Sequence, residues 1–456
     1  MTSSLSLIWA VTAATTLLQA GNGLLQVLMP LRMQAEGFPV SAIGLVAAAY
    51  GLGFSTGCFL APAFIRHVGY IRAFACLAAI TGATVLAMTQ AHSTPAWILL
   101  RGLTGVTLAC IFTATDSWIS ARATSGDRGR MLSIYMICTK VALMLSPLGI
   151  SLGDIRTDSL FMAVNAVITL SLLPIAATTT QEPPAPQGVR IEVRRLFATA
   201  PSAVVGVFAV GLVNGPVMAI APVFGVSIGL SQDRAAALIF ALQAGSLVMQ
   251  WPLGWLSDRT DRRYVIAGLA AGTGLISLLI LAVSAAGAQA PIPWAFAAWG
   301  GLALCIYSVC VAHACDIVEP GRIVSTIGTL LFSWASGVTV GPLLGAGAME
   351  LMGPKGLFIY SALVSLALTG FVLVRIVQVR RAPAMRGFAA VPQNSSASAA
   401  LTPRVEAAKE EPAGQETREE TREETAERAA AGGPHQTDER DDGGEASAVA
   451  RAETSS

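Results

Sequence analysis

The chain has 456 residues, 54% of them hydrophobic and 12% charged, with a formal net charge of +1. A water-soluble domain carries about 25% charged residues, so this composition excludes a chain that faces water on all sides. The small net charge hides two unequal parts. Residues 1–400 hold 22 bases and 13 acids (22 − 13 = +9), and residues 401–456 hold 7 bases and 15 acids (7 − 15 = −8).

Twelve apolar runs of membrane-crossing length, about 20 residues each, follow one another: 6–30, 40–65, 70–91, 95–120, 131–153, 158–178, 201–228, 235–257, 264–288, 292–315, 323–349 and 356–378. They predict an all-α membrane protein with twelve transmembrane helices. The first run has no basic residue before Arg32 and is longer than a signal-peptide core, so it reads as an uncleaved span. Residues 1–178 form one six-helix half and 201–380 a second. Residues 179–200, Pro-rich and then basic, form a cytoplasmic linker. Residues 381–456 form an acidic cytoplasmic tail, too polar to bury a core and expected to be disordered. With the N-terminus inside, 16 arginines fall on inner loops or span ends and 4 bases on outer ones (Arg32, Arg156, Arg234, Lys355), a positive-inside bias that also supports the span count.

The two halves repeat one another. At a shift of 192, Asn22-Gly23 falls on Asn214-Gly215, Pro30 on Pro222 and Gly37 on Gly229. At a shift of 200, Cys110 falls on Cys310, Asp116 on Asp316 and Arg122 on Arg322. Parallel six-helix repeats are a transporter architecture. The seven cysteines lie in or beside spans without metal-ligand spacing and read as small buried residues.

Between the eighth and ninth spans stands Gly254-Trp255-Leu256-Ser257-Asp258-Arg259-Thr260-Asp261-Arg262-Arg263. This pattern resembles the loop signature of the major facilitator superfamily of secondary transporters. Gln250-Trp251-Pro252, Arg128-Gly129-Arg130 and Ala312-His313-Ala314-x-Asp316 resemble its bacterial YcaD-like group. The resemblance implies the major facilitator fold in a bacterial inner membrane, alternating access, and a cytoplasmic gate at this loop, drawn from Arg66, Asp116, Arg122, Asp258, Arg259, Arg262, Arg263, Asp316 and Arg322. The repeat partner of the loop, Pro62 to Ile71, has Arg66 where Asp258 stands, so the gate is expected to be asymmetric, with Asp258 its critical acid. Gly337-x-x-x-Gly341-Pro342-x-x-Gly345 resembles an antiporter signature that the family places in its fifth helix. Here it lies in the eleventh span, and the fifth has only Ala142-x-x-x-Ser146-Pro147, which argues against a drug antiporter.

Charges within spans are costly and mark candidate functional positions. Arg101 lies in the fourth span, in an Arg-x-x-x-Gly pattern resembling a family motif associated with proton coupling; snorkelling to the interface is the rival reading. Lys140 lies mid-span in the fifth, suited to a cavity or to a structural contact. Thr15, Gln19, Asn22 and Gln26 form one stripe on the first helix, with Asn214 and Gln243 on the seventh and eighth. Such stripes face protein or water rather than lipid; helix-to-helix hydrogen bonding is the alternative. Asp116 and Asp316 suit a gate or a protonation site, and His313 shares a helix face with Asp316.

The expected function is secondary transport of a small organic solute bearing an anionic group. The alternatives are proton-coupled efflux of apolar compounds through Asp116 or His313, and a transporter-like sensor or scaffold with the tail as its output. Substrate, lipid bilayer and protons are the expected partners, for a monomer that binds no nucleic acid. No enzyme activity, cofactor or metal site is expected: the sequence has no phosphate-binding loop, metal-ligand cluster or nucleophile elbow.

Overall fold

The computed structural model describes residues 2–122, 128–177, 191–319 and 322–378, with side chains other than those of 2–8, 120–122 and 128–130. The first half runs α1 (Thr2–Ala35), α2 (Val40–Val68), α3 (Tyr70–Met88), α4 (Thr94–Arg122), α5 (Arg128–Leu145) with a 3-10 extension (Ser146–Leu152), then α6 (Ser159–Leu170) and α7 (Leu172–Ala176) as one broken span. A short linker helix, α8 (Val193–Thr199), precedes the second half: α9 (Pro201–Ser227), α10 (Gln232–Ser257), α11 (Arg262–Ala285), α12 (Ile292–Ile317), α13 (Ile323–Met352) and α14 (Gly356–Gln378). No strand occurs among the described residues.

Among the described residues, eleven segments are long and apolar enough to cross a membrane. Hydroxyls inside the spans return to the preceding turn, as in Thr81 to Leu77 O, Thr273 to Leu269 O and Ser333 to Thr329 O. Each is thereby satisfied without water, as a lipid setting requires. Pro147 cannot continue the hydrogen-bond ladder, and there α5 tightens into its 3-10 extension.

The repeat is visible in backbone detail. Gly37 and Gly229 have φ of 83° and 88°, a region favouring glycine. In the first turn, Gly37 N donates to Gln34 O and Phe38 N to Met33 O; in the second, Gly229 N donates to Val226 O and Leu230 N to Gly225 O. These are the paired bonds of a Schellman cap, repeated 192 residues apart. The same shift relates Gly53 to Gly245. A Cβ at Gly53 would stand 2.0 Å from Gly102 O, and one at Gly245 would stand 1.8 Å from Ala297 O. Each glycine lets two backbones touch, α2 with α4 and α10 with α12, a small-residue mode of helix packing in membranes.

The halves meet at the end of the bundle bearing the Gly37 and Gly229 turns, here called the far end. Gln34 Nε2 donates to Ser227 Oγ at 3.3 Å. Gly44 and Gly51 of α2 seat against Ala346 and Thr339 of α13. The opposite end, carrying the α10–α11 loop, is the basic end.

Candidate functional site

A cavity of about 710 Å³ lies between the halves, within the size range of small-molecule sites. Its wall runs from Met29, Ala47 and Pro342 to Asp116, Ser133 and Gly254 near the basic end. Of the residues expected to line it, Gln19, Gln26, Arg101, Lys140, Asn214 and Gln243 do so. Asn22 does not: it is buried and donates through Nδ2 to Gln19 Oε1 at 3.3 Å, so it orients a lining residue instead.

Arg101 is 4% exposed, which leaves no room for snorkelling in this conformation. Its guanidinium carbon sits 4.3 Å from the centre of the Tyr50 ring, a cation–π arrangement. Its Nε and Nη1 have no hydrogen-bond partner among the described residues, nor has either side-chain polar atom of Asn214. Lys140 Nζ donates to Gln250 Oε1 at 2.7 Å, joining α5 to α10. Unpartnered buried donors cost about 1–3 kcal/mol each, and in a cavity wall they are ready to receive a ligand.

At the basic end of the second half, Arg262 is almost completely buried. Its Nε donates to Asp316 Oδ2 at 2.6 Å, Nη1 to Ser257 Oγ at 3.0 Å and Nη2 to Asp258 Oδ1 at 3.3 Å. Asp261 caps α11 by accepting from Arg263 N at 3.0 Å, and its other oxygen pairs with Arg263 Nη2 at 2.7 Å. Partial burial pushes the Asp261 carboxyl up, but the hydrogen bonds and charge of Arg263 outweigh it and hold the group below the usual aspartate range. Arg259 stacks on Trp255, 4.0 Å from the ring centre. His313 is buried one turn before Asp316.

One gate residue stands elsewhere than its spacing suggests. Arg322, six residues past Asp316, lies beyond the end of α12 at the start of α13. There it pairs with Glu192 of the linker and with Glu319, each at 3.5 Å. Asp316 instead pairs with Arg262, from a different helix. The Arg122 side chain lies outside the described residues, and Arg66 is exposed at the end of α2.

In the first half Tyr70 occupies the place of Arg262, and Gly69 that of Asp261. Tyr70 packs on Trp118, ring centres 5.9 Å apart. Asp116, equivalent to Asp316, accepts from Tyr135 OH at 2.6 Å. Its Oδ2 has no partner among the described residues, and it forms part of the cavity wall. Tyr135 and Trp334 were not legible as site residues, because an aromatic in an apolar span reads as packing. Gln250, part of the Gln250-Trp251-Pro252 motif, lines the cavity seven residues, two helical turns, after Gln243.

A bundle of membrane-length helices in two repeated halves around a central, mostly apolar cavity with a few charged groups in its wall defines a multi-pass membrane carrier fold. The Major Facilitator Superfamily model matches residues 11–202 and 203–413, and the chain belongs to that superfamily. It is 26% identical over 351 residues to the "Uncharacterized MFS-type transporter YcaD" of Escherichia fergusonii, covering 76% of this chain and 90% of the relative. It is 27% identical over 351 residues to the "Uncharacterized MFS-type transporter Ent638_1421" of Enterobacter sp. (strain 638), with the same coverage. Among solved structures, the nucleoside transporter NupG aligns with a TM-score of 0.66 at 14% identity, over 83% of this chain and 98% of that one. An inward-facing, occupied bacterial homologue of the human lysosomal transporter Spinster aligns with a TM-score of 0.65 at 18% identity, over 84% and 99%. At these identities the likeness to solved structures is one of fold.

Proposed function

We propose that this protein is a secondary transporter that moves a small organic anion across a bacterial inner membrane by alternating access between its two halves, with the basic end and both termini cytoplasmic. The observation that carries this reading is the pair of cations in the cavity wall. Arg101 is buried with two unpartnered nitrogens, and Lys140 is held only by a neutral amide among the contacts seen here. A carboxylate or phosphate on the solute gives both a charge-assisted partner. The closed far end and the cavity's descent toward the basic end fit one side of the alternating cycle.

A thermal-shift screen of small organic acids against purified protein tests it. A bound acid at about 100 times its Kd stabilises the folded state by about 2.7 kcal/mol. The shift should vanish in Arg101→Gln and Lys140→Gln proteins that remain monodisperse, together with flux of that acid in proteoliposomes. Undiminished flux in both variants overturns the anion reading.

Asp116 supports a second reading, proton-coupled efflux of apolar compounds. It is a carboxyl in the cavity wall with one unpartnered oxygen and no cation paired with it among the described residues. Under that reading, collapsing the proton gradient changes substrate accumulation in the native protein and not in Asp116→Asn; equal accumulation with and without the gradient removes it.

A further inference from the structure

We infer that the cavity opens sideways into the bilayer between α5 and α10, and that its substrate is an anion carrying an apolar chain. This rests on the anion reading above and narrows it. Ile137 of α5 and Trp251 of α10 both line the cavity, yet they are 57% and 78% exposed. Both lie within membrane-length spans, Met131–Leu152 and Gln232–Ser257. Only 17% of the apolar window of the α5 span is buried, the lowest share among the eleven spans.

Helix geometry places these two side chains on facing edges. α10 packs on α12 through Leu242, Gly245 and Met249, which meet Gly300, Ala297 and Gly301. At about 100° per residue, Trp251 lies about 200° round from Met249, away from α12. α5 packs on α1 where Leu143 and Ser146 meet Gly23. Ile137 lies about 120° from Leu143 and about 180° from Ser146, away from α1. Each residue therefore turns from its own half toward the seam between halves. The contrasting seam, α2 with α13, is sealed by the seating of Gly44 and Gly51.

The Lys140–Gln250 bond crosses the open seam beside these residues: Lys140 is one turn from Ile137, and Gln250 is next to Trp251. An ammonium bonded to a neutral amide exchanges it for an anionic oxygen because the anion adds ion-pair attraction to a hydrogen bond whose donor is already charged. The head group thus replaces Gln250 on Lys140, and the chain lies along Ile137, Leu247 and Trp251 toward the lipid. Phosphate and carboxylate heads share this chemistry.

The test uses full-length protein in nanodiscs of zwitterionic lipid, with dodecyl phosphate bearing a terminal photoreactive diazirine. Labelling is expected at Ile137 and Trp251 and should be competed by unlabelled dodecyl phosphate. Labelling at Leu275 and Leu363, exposed on α11 and α14 away from the cavity, should not be competed. A dodecanoate competitor distinguishes a carboxylate head from a phosphate head. Lys140→Gln should raise the half-protecting concentration at least tenfold, Lys140→Arg should restore it, and Gln250→Ala, which frees Lys140, should lower it severalfold. Uniform, uncompeted labelling over all four sites overturns the lateral opening. If butyl phosphate nevertheless stabilises the protein, the anion reading survives that failure; if it does not, both fall. Competition that is unchanged in Lys140→Gln and Gln250→Ala overturns the role of the bond.

Discussion

The basic ends of the two halves have the same backbone plan and opposite electrostatics. In the second half an arginine sits buried among Asp316, Asp258 and Ser257. In the first, the equivalent arginine is Tyr70 and the equivalent of Asp258 is Arg66, while Asp116 is left to a tyrosine hydroxyl. The Schellman caps at Gly37 and Gly229 match bond for bond. Helix packing constrains the fold wherever two backbones touch. A charge network is not held in that way: the first half keeps Asp116 but has neither the arginine nor the aspartate that stand at 262 and 258 in the second.

The largest effect that this contrast predicts is at Arg262. Removing one partner of a buried ion pair costs about 3–5 kcal/mol, so Arg262→Ala should sharply lower the melting temperature or abolish monodisperse protein. Tyr70→Phe, at the equivalent place, removes no charge and should cost clearly less; equal losses would break the comparison. Next comes Asp116. Tyr135→Phe removes a hydrogen bond to a carboxyl, worth about 1.5–3 kcal/mol, and Asp116→Asn should cost less than Asp316→Asn in the same chemical-denaturation assay. Asp258 is half-open to solvent, and its pairing with Arg262 contributes about 0–1 kcal/mol. Asp258→Asn should therefore leave the melting temperature nearly unchanged while slowing transport severalfold. Normal transport by this variant would remove the asymmetric gate.

The smallest effect concerns Asp261. Its folded-state pKa is lowered, so its contribution is fully present above the ordinary aspartate range, near 3.9, and is lost as pH falls through the lowered value. The difference in melting temperature between the native protein and Asp261→Asn should be constant near neutral pH and shrink below about pH 4. A difference that grows on acidification would reverse the assignment.

Much of this was legible in the sequence. The span edges at Val40, Tyr70, Pro201 and Ile292 follow from composition, because lipid enforces helix length and excludes mid-span charge. The stripe on α1 located one wall of the cavity, since its polar side chains had no other low-cost direction to point. The partner of Asp316 was not legible. Six residues along a sequence suggest a neighbour, but Arg322 lies past the helix end, whereas Arg262, 54 residues earlier, arrives through packing of α11 on α12. Asn22 likewise belonged to the stripe by spacing and fell just behind the surface, where it bonds to Gln19.

The cavity's fixed charges have an electrical consequence. Arg101 and Lys140 contribute two positive charges and Asp116, when ionised, one negative charge, leaving the empty cavity at +1. A monovalent anion brings it to zero. On the transport reading, the loaded protein reorients with little sensitivity to membrane voltage, whereas the empty protein carries a charge through the field. One elementary charge moved across 100 mV corresponds to about 2.3 kcal/mol. Voltage would then act on the return of the empty carrier, setting how often the cycle turns while leaving solute affinity at zero potential unchanged.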